Sequence, residues 1–265
     1  MHHPRCLLPQ CIKTSAKRKQ YLRTEQCICV VGGMVSPVPA RLSRINAVIF
    51  DLDGTLVRSA IDFMKLKRET IQLLGELGVE TKGLSEKMKT YEIMTQVREQ
   101  AGRSEWRLPY AIISEKVAQI WNRIELESID KTTLVPGADS VLRQLKDQCK
   151  SIGVVTRGCH TYAASALAKT GLLSFVDVIV GRDDTANPKP DPEPLIHAMA
   201  VLHSKESEVL MVGDSAEDAE CAQLAGIPFV GVLSGISDQA TLVRSGAVRV
   251  LDSIPRLLDA LDRDL

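Results

Sequence analysis

Residues 47–57 read AVIFDLDGTLV, in which the uncharged run Ala47–Phe50 leads directly into Asp51 and Asp53 and then into Gly54. A short apolar run of this kind is typical of a strand buried on both faces of a parallel sheet. Packing does not explain two carboxylates at its end, because unpaired charges at the rim of a buried sheet are costly. A cation and a polar ligand would explain them, so the stretch predicts both a strand and a site.

Two similar apolar runs occur farther along the chain, at residues 152–155 and 209–212, and each ends in polar residues. Weaker strand candidates lie at residues 175–180 and 228–232, and helical patterns lie between the runs at residues 139–148, 162–170, 192–202 and 216–225. This alternation predicts an α/β fold with a doubly wound parallel sheet. Because such sheets bind ligands beyond the carboxyl ends of their strands, the polar residues found there are the candidates for function.

The stretch from residue 59 to residue 131 has helical periodicity and almost no strand signal. Its apolar residues form three stripes, which end near Gly78, Gly102 and Leu126. We predict a smaller, all-helical cap of residues 59–131, inserted after the first strand into a core of residues 45–58 and 132–265. The alternative is that these helices form extra layers on the core.

The composition is that of a soluble globular protein with a neutral total charge. The 265 residues are 45% hydrophobic and 25% charged, with 33 basic and 33 acidic side chains. These values exclude a disordered chain, a collagen and a strongly basic nucleic-acid binder. The longest uncharged apolar run near the start, residues 27–35, is far shorter than the ~20 residues of a membrane-spanning helix. We therefore expect neither a nucleic-acid partner nor a membrane anchor.

The N-terminal extension, residues 1–44, differs from the rest of the chain. Residues 1–46 contain eight Lys or Arg and one acidic residue, a net charge of +7, so the remainder carries −7. Such an extension is compatible with an address to a chloroplast or mitochondrion; the alternatives are a solvated tail or a start at Met34 on a cytoplasmic protein. Three of the seven cysteines lie scattered outside it, which argues against a disulfide framework and for an intracellular body.

Three further motifs follow the predicted strands. Thr156 and Arg157 precede a glycine and a helix, where a hydroxyl and backbone amides can hold an anion. Lys189 lies between two prolines, which stiffen the loop that presents its ammonium group. Asp218 follows Asp214 at the spacing of one helical turn, so the two carboxylates face the same side. Each motif alone also fits a structural role, as a helix cap or an exposed turn lysine.

In this order, DLDGTLV, TRG, PKPDP and GDSAEDA resemble the motifs of the haloacid dehalogenase superfamily. The resemblance covers about residues 45–265, and the helical insertion is similar to the cap of the phosphoglycolate phosphatase and β-phosphoglucomutase-like branch. It implies a Rossmann-like core and a phosphoric monoester hydrolase. The implied substrate is a small phosphorylated metabolite, such as phosphoglycolate, a sugar phosphate or a nucleotide-like ester. A monomer or a homodimer is expected.

The resemblance also implies catalytic and phosphate-binding roles. Asp51 would attack phosphorus to form an aspartyl-phosphate, and Asp53 would protonate the leaving oxygen and then activate water. Lys189 would neutralise the nucleophile and the transferring group. Thr156 and the backbone amide of Arg157 would hold phosphate oxygens. This division of roles suits the chemistry, because a phosphoryl group in transfer spreads negative charge over its oxygens.

The implied cofactor is Mg²⁺. Asp51, the main-chain carbonyl of Asp53 and Asp214 would bind the ion, and Asp218 would support them from outside the ligand shell. Small oxygen-liganded Mg²⁺ suits these groups, and no cysteine or histidine cluster in the motifs calls for zinc.

Arg157 departs from the family pattern, since phosphoglycolate phosphatases usually carry a small or polar residue after the motif threonine. Its side chain either pairs with a second anion on the substrate or points to solvent. Two other functions remain open: a phosphomutase of the β-phosphoglucomutase kind, and a non-catalytic relative that binds a phosphorylated ligand or a partner. The presence of both Asp51 and Asp53 favours the phosphatase.

Overall fold

The structure, a computed structural model, describes residues 44–102 and 108–262. Its strands are β1 (Ala47–Phe50), β2 (Val57–Arg58), β3 (Thr133–Leu134), β4 (Ser151–Val155), β5 (Val178–Val180), β6 (Val209–Gly213), β7 (Phe229–Val232) and β8 (Arg249–Leu251). Its helices are α1 (Phe63–Glu76), α2 (Thr90–Ala101), α3 (Tyr110–Glu127), α4 (Ala138–Asp147), α5 (His160–Lys169), α6 (Glu193–Val201), α7 (Ala216–Ala225), α8 (Gln239–Arg244) and α9 (Arg256–Asp262). The predicted N-terminal extension lies outside the described residues, apart from Arg44.

Six strands form one parallel sheet in the order β5-β4-β1-β6-β7-β8. From β1 the chain first adds β4 and β5 on one side and then β6, β7 and β8 on the other, which is the doubly wound arrangement. The predicted α/β fold is therefore confirmed. At the centre, Phe50 is aligned with Val154 of β4 and with Val212 of β6. The carboxyl ends of these three strands consequently lie side by side.

The sheet is covered by helices on both faces. Val48 and Phe50 of β1 pack into a cluster that includes residues of α4, α5 and α9. Ala47 and Ile49, which point the other way, pack into a second cluster with residues of α6, α7 and α8. Alternate residues of one strand thus serve two cores, which is why the run is apolar without a polar face.

The helices α1, α2 and α3 form a smaller unit between β2 and β3. They enclose a separate apolar cluster, which includes Leu66, Ile93 and Val117. The chain enters and leaves this unit through an antiparallel ribbon in which Val57 pairs with Leu134. The all-helical cap after the first strand is therefore present and has its own core. Its boundaries at residues 59 and 131 stay a prediction.

Among the described residues, no helix is both long and apolar enough to cross a membrane.

Candidate active site

Three aspartates meet at the carboxyl edge of the sheet. Asp51 follows β1, Asp214 follows β6, and Asp218 lies in the first turn of α7. A carboxylate oxygen of each lies within 4.8 Å of the other two, and all three side chains are buried. The aspartates come together because β1 and β6 are adjacent strands. The backbone amide of Asp51 donates to the carbonyl of Val212 at 2.8 Å, which places the residues after the two strands next to each other.

Lys189 provides the positive charge in this cluster. Its ammonium Nζ donates to Oδ1 of Asp51 and to Oδ1 of Asp218, each at 2.6 Å. The side chain is 2% exposed, so the alternative of an exposed turn lysine does not describe it. Burial by itself would lower the pKa of Lys189, but the neighbouring carboxylates outweigh burial and raise this pKa, which keeps the group charged.

Asp218 is held on both of its oxygens. While Oδ1 accepts from Lys189, Oδ2 accepts from the Ser215 backbone amide at 3.1 Å and from its hydroxyl at 2.7 Å. The Ser215 hydroxyl in turn accepts from the Asp218 amide, which completes a capping box at the start of α7. A side chain at Gly213 would meet this carboxylate, because a Cβ there would lie 2.5 Å from Oδ2. The local geometry thus fixes the carboxylate that orients Lys189.

Asp214 is held by one backbone amide and one side-chain hydroxyl. Its Oδ2 accepts from the Ile236 amide at 2.7 Å, and the Thr55 hydroxyl lies 3.4 Å from Oδ1. Gly54 passes close by with φ of +91°, and a Cβ there would come within 2.8 Å of Oδ2. The glycine of the DLDGTLV motif is therefore required both for its backbone conformation and for this close approach.

The acidic cluster has a charge imbalance that suits a cation. Burial, followed by the fields of Asp218 and Asp214, raises the pKa of Asp51 well above its usual value, although Lys189 opposes the rise. Burial and Asp218 raise the pKa of Asp214 to about 6. One ammonium faces three carboxylates, and the available donors are all oxygens. These residues fit a small hard ion such as Mg²⁺.

Asp53 has a partner that the sequence analysis did not include. The Tyr162 hydroxyl, on α5, donates to Oδ1 of Asp53 at 2.6 Å. Burial raises the pKa of Asp53, while hydrogen bonds from Tyr162 and Ser59 lower it. The sequence contains one indication of this contact. Tyr162 is the single tyrosine in the alanine-rich helix α5, and a buried tyrosine hydroxyl needs a hydrogen-bond partner.

The predicted anion cradle follows β4. Thr156 is buried, and its hydroxyl accepts from the Gly158 backbone amide at 3.0 Å. The Arg157 side chain bridges core and cap: Nη1 donates to Glu217 on the core helix α7 and Nη2 donates to Thr90 on the cap helix α2, each at 2.8 Å. The guanidinium is thus held by protein groups, and the alternative in which it simply points to solvent does not describe it.

A second connection joins the cap to the core. Arg182, which follows β5, donates from Nη1 to Oε1 of Glu125 on α3 at 2.7 Å. The Cys159 backbone amide also donates to Glu125, at 2.9 Å, and the guanidinium lies 5.0 Å from the Trp121 ring centre. No local sequence pattern indicates this pair, because the two residues lie 57 positions apart in the chain.

A cavity of about 1230 Å³ lies between the cap and the carboxyl edge of the sheet. The core contributes Asp51, Asp53 and Lys189 to its wall, and the cap contributes Tyr91 and Trp121. The predicted site residues Thr156, Arg157, Asp214 and Asp218 line the same cavity. The structure therefore brings all seven predicted site residues together.

Comparisons with known proteins define the class. Residues 48–232 match the model of the family described as haloacid dehalogenase-like hydrolase. The chain is 30% identical to the plasmid phosphoglycolate phosphatase of Cupriavidus necator, over 80% of this chain and 91% of that protein. It is also 30% identical to a phosphoglycolate phosphatase of Salmonella typhimurium, with 83% and 94% covered.

Solved structures agree with this class. A hydrolase from Pseudomonas syringae superposes with a TM-score of 0.60 at 26% identity, covering 82% of this chain and 98% of that one. A structure from Thermotoga maritima that is described as a β-phosphoglucomutase shares the fold, with a TM-score of 0.56 at 24% identity. The match covers 83% of this chain and 100% of that one. The chain belongs to the haloacid dehalogenase-like hydrolase family. The expectation of a phosphoric monoester hydrolase is confirmed.

Proposed function

We propose that the chain is a Mg²⁺-dependent phosphatase that hydrolyses a small phosphorylated metabolite through an aspartyl-phosphate on Asp51. The observation that supports it best is the buried Asp51 carboxylate, which has the Lys189 ammonium 2.6 Å from one oxygen and Asp214 beside it. The similarity to two phosphoglycolate phosphatases supports a small substrate.

In this proposal Asp51 and Asp53 divide the chemistry. Oδ2 of Asp51 would attack phosphorus, while Oδ1 accepts from Lys189 and keeps a second lone pair that would face the metal ion. As the ester bond breaks, Asp53 gives its proton to the leaving alcohol oxygen. Asp53 then takes a proton from water, whose oxygen attacks the aspartyl-phosphate. Inorganic phosphate leaves, and the Asp51 carboxylate is restored.

The Tyr162 hydroxyl holds Asp53 in place for both proton transfers. A carboxylate that must reach first a leaving oxygen and then a water molecule benefits from a fixed orientation. The raised pKa that burial gives Asp53 favours the protonated form needed in the first step.

Asp51, Asp214 and the main-chain carbonyl of Asp53 would hold the magnesium ion. When bound, the ion supplies positive charge to the phosphoryl oxygens. Because both oxygens of Asp218 already accept hydrogen bonds from Lys189 and Ser215, we assign Asp218 the role of orienting Lys189.

The phosphate oxygens would bind the Thr156 hydroxyl and the Arg157 backbone amide. Residues 59–131 would act as a cap that keeps bulk water from the aspartyl-phosphate. The cap helices and the catalytic groups line one cavity, which supports this arrangement.

The test is the release of inorganic phosphate from a panel of phosphate esters. We expect Asp51→Asn to lower kcat by at least ~1,000-fold on every ester, because the nucleophile is lost, and we expect chelation by EDTA to mimic it. Glu115→Gln is the matched control, since Glu115 lines the same cavity away from the acidic cluster. Full activity of Asp51→Asn would contradict the proposal, and isomerisation of sugar phosphates without phosphate release would favour the phosphomutase.

A further inference from the structure

Glu217 joins two cations at the seam between core and cap. Its Oε1 lies 2.7 Å from Nζ of Lys89, and its Oε2 lies 2.8 Å from Nη1 of Arg157. Lys89 belongs to the cap, where it precedes α2, whereas Glu217 lies in the first turn of the core helix α7. The side chain of Glu217 is only 13% exposed. Lys89, Arg157 and Glu217 thus form a partly buried ion triad.

Glu217 is well stabilised as an anion in this position. The positive end of the α7 dipole favours a carboxylate in the first turn. Arg157 and Lys89 outweigh the effect of burial and lower the pKa of Glu217. The Arg157 guanidinium is fixed further by the Thr90 hydroxyl at 2.8 Å and by the Tyr91 ring, whose centre lies 5.7 Å away.

The triad lies at the substrate cavity. Lys89, Arg157 and Glu217 line the same cavity as Asp51 and Asp53. A lysine and an arginine that converge on one carboxylate form the arrangement that would recognise a carboxylate on a substrate. In this chain the protein itself supplies that carboxylate.

We propose that Glu217 is a specificity-determining residue that fills, from within, the carboxylate position offered by Lys89 and Arg157, so that the enzyme selects phosphate esters with an uncharged body. The inference rests on the proposed phosphatase function and deepens it by naming the substrate class. A substrate carboxylate would have to displace Glu217 or lie beside it, and two neighbouring carboxylates repel each other. The relatives, by contrast, are named for phosphoglycolate, an ester that carries a carboxylate.

A matched pair of esters tests this inference. 3-Phosphoglycerate and glycerol 3-phosphate differ only by a carboxylate in place of a hydroxymethyl group. We expect wild type to have the higher kcat/KM on glycerol 3-phosphate. In Glu217→Gln, the ratio of kcat/KM for 3-phosphoglycerate over glycerol 3-phosphate should rise ~10-fold, because the cations then become available for one charge-assisted contact.

Two further variants complete the design. Glu220→Gln, which makes the same change on an exposed side chain of the same helix, should leave the ratio unchanged. Arg157→Met added to Glu217→Gln should remove the gain. Arg157→Met alone should leave the wild-type ratio unchanged, and this measurement does not depend on the folding of any Glu217 variant.

The outcomes separate the two proposals. A wild-type preference for 3-phosphoglycerate, an unchanged ratio in folded Glu217→Gln, or a ~10-fold fall of the ratio in Arg157→Met alone would each overturn the role of Glu217. Absence of phosphate release from every ester by wild type with Mg²⁺ would instead be a failure of the proposed phosphatase function.

Discussion

At the scale of single residues, the site is organised by one buried lysine. Lys189 contacts Asp51 on one side and Asp218 on the other, and Ser215 fixes the second of these carboxylates. A buried charge is tolerated only when it is paired, so each member of the cluster depends on the others. Catalytic geometry and stability are therefore linked at this position.

We expect Lys189→Met to destabilise the protein as well as inactivate it. The substitution leaves three buried carboxylates without their cation, and breaking such a pair typically costs ~3–5 kcal/mol. Urea unfolding at neutral pH without metal measures this loss. Lys65→Met is the control, because Lys65 forms an exposed pair with Glu127 and should cost less than ~1 kcal/mol. Equal stabilities of the two variants would contradict the role of Lys189.

At the scale of secondary-structure elements, the cap helix α3 is attached to the core near its C-terminal end. Glu125 is buried there and accepts hydrogen bonds from the Arg182 side chain and the Cys159 amide. Because Arg182 follows β5 and Glu125 precedes the return strand β3, the ion pair holds one side of the cap to the sheet. The Glu217 triad holds α2 in a comparable way.

We expect Arg182→Met to lower the free energy of unfolding by ~3–5 kcal/mol, since it leaves the Glu125 carboxylate buried without its cation. Adding Glu125→Gln should recover part of this loss, because the remaining buried group is then neutral. Thermal and urea unfolding of the single and double variants measure the coupling. Arg123→Met, which removes solvent-accessible ion pairs with Glu69 and Glu127, provides the control. A double variant less stable than Arg182→Met would refute the ion-pair explanation.

At the scale of the whole molecule, the buried acidic cluster predicts that stability depends on pH and on added metal. In the folded chain the pKa of Asp214 is raised from 3.8 to about 6. Between these values the folded state binds more protons than the unfolded state, so stability falls as pH rises through this window and levels off above it. Burial raises the pKa of Asp51 and of Asp53 in the same direction.

We therefore expect the chelated protein to lose up to about 3 kcal/mol of stability from Asp214 between pH 4 and pH 7. Asp214→Asn should remove this part of the pH dependence, and Mg²⁺ should raise the Tm of wild type at pH 7.5 through binding to the folded state. Thermal unfolding at several pH values, with EDTA or with Mg²⁺, measures both effects. A Tm that is insensitive to Mg²⁺ would argue against a metal site at the cluster.

The sequence by itself determined the fold class and, through the family motifs, seven of the residues that line the candidate site. The predicted strands appear as short apolar runs and the predicted helices as stripes of apolar residues, since both patterns depend on neighbours only two to four positions apart. The structure's β4 (Ser151–Val155) and α7 (Ala216–Ala225) accordingly match the predicted runs to within a residue at each end. The helices α8 and α9 were not among the predicted elements. β8 was missed, because an edge strand that begins with Arg249 and is only partly buried has no such run.

Only the tertiary structure decided which partner each polar side chain has. Lys189 became a buried cation, Asp53 gained Tyr162, and Arg157 paired with Glu217 instead of solvent. The residues of these pairs, including Lys189 with Asp51 and with Asp218, are separated by 29 to 138 positions in the chain. Their formation depends on which strand ends the doubly wound connections bring together and on where the cap helices return over the sheet. A local pattern does not encode these distances, because each contact is produced by elements that pack far from the residues it joins.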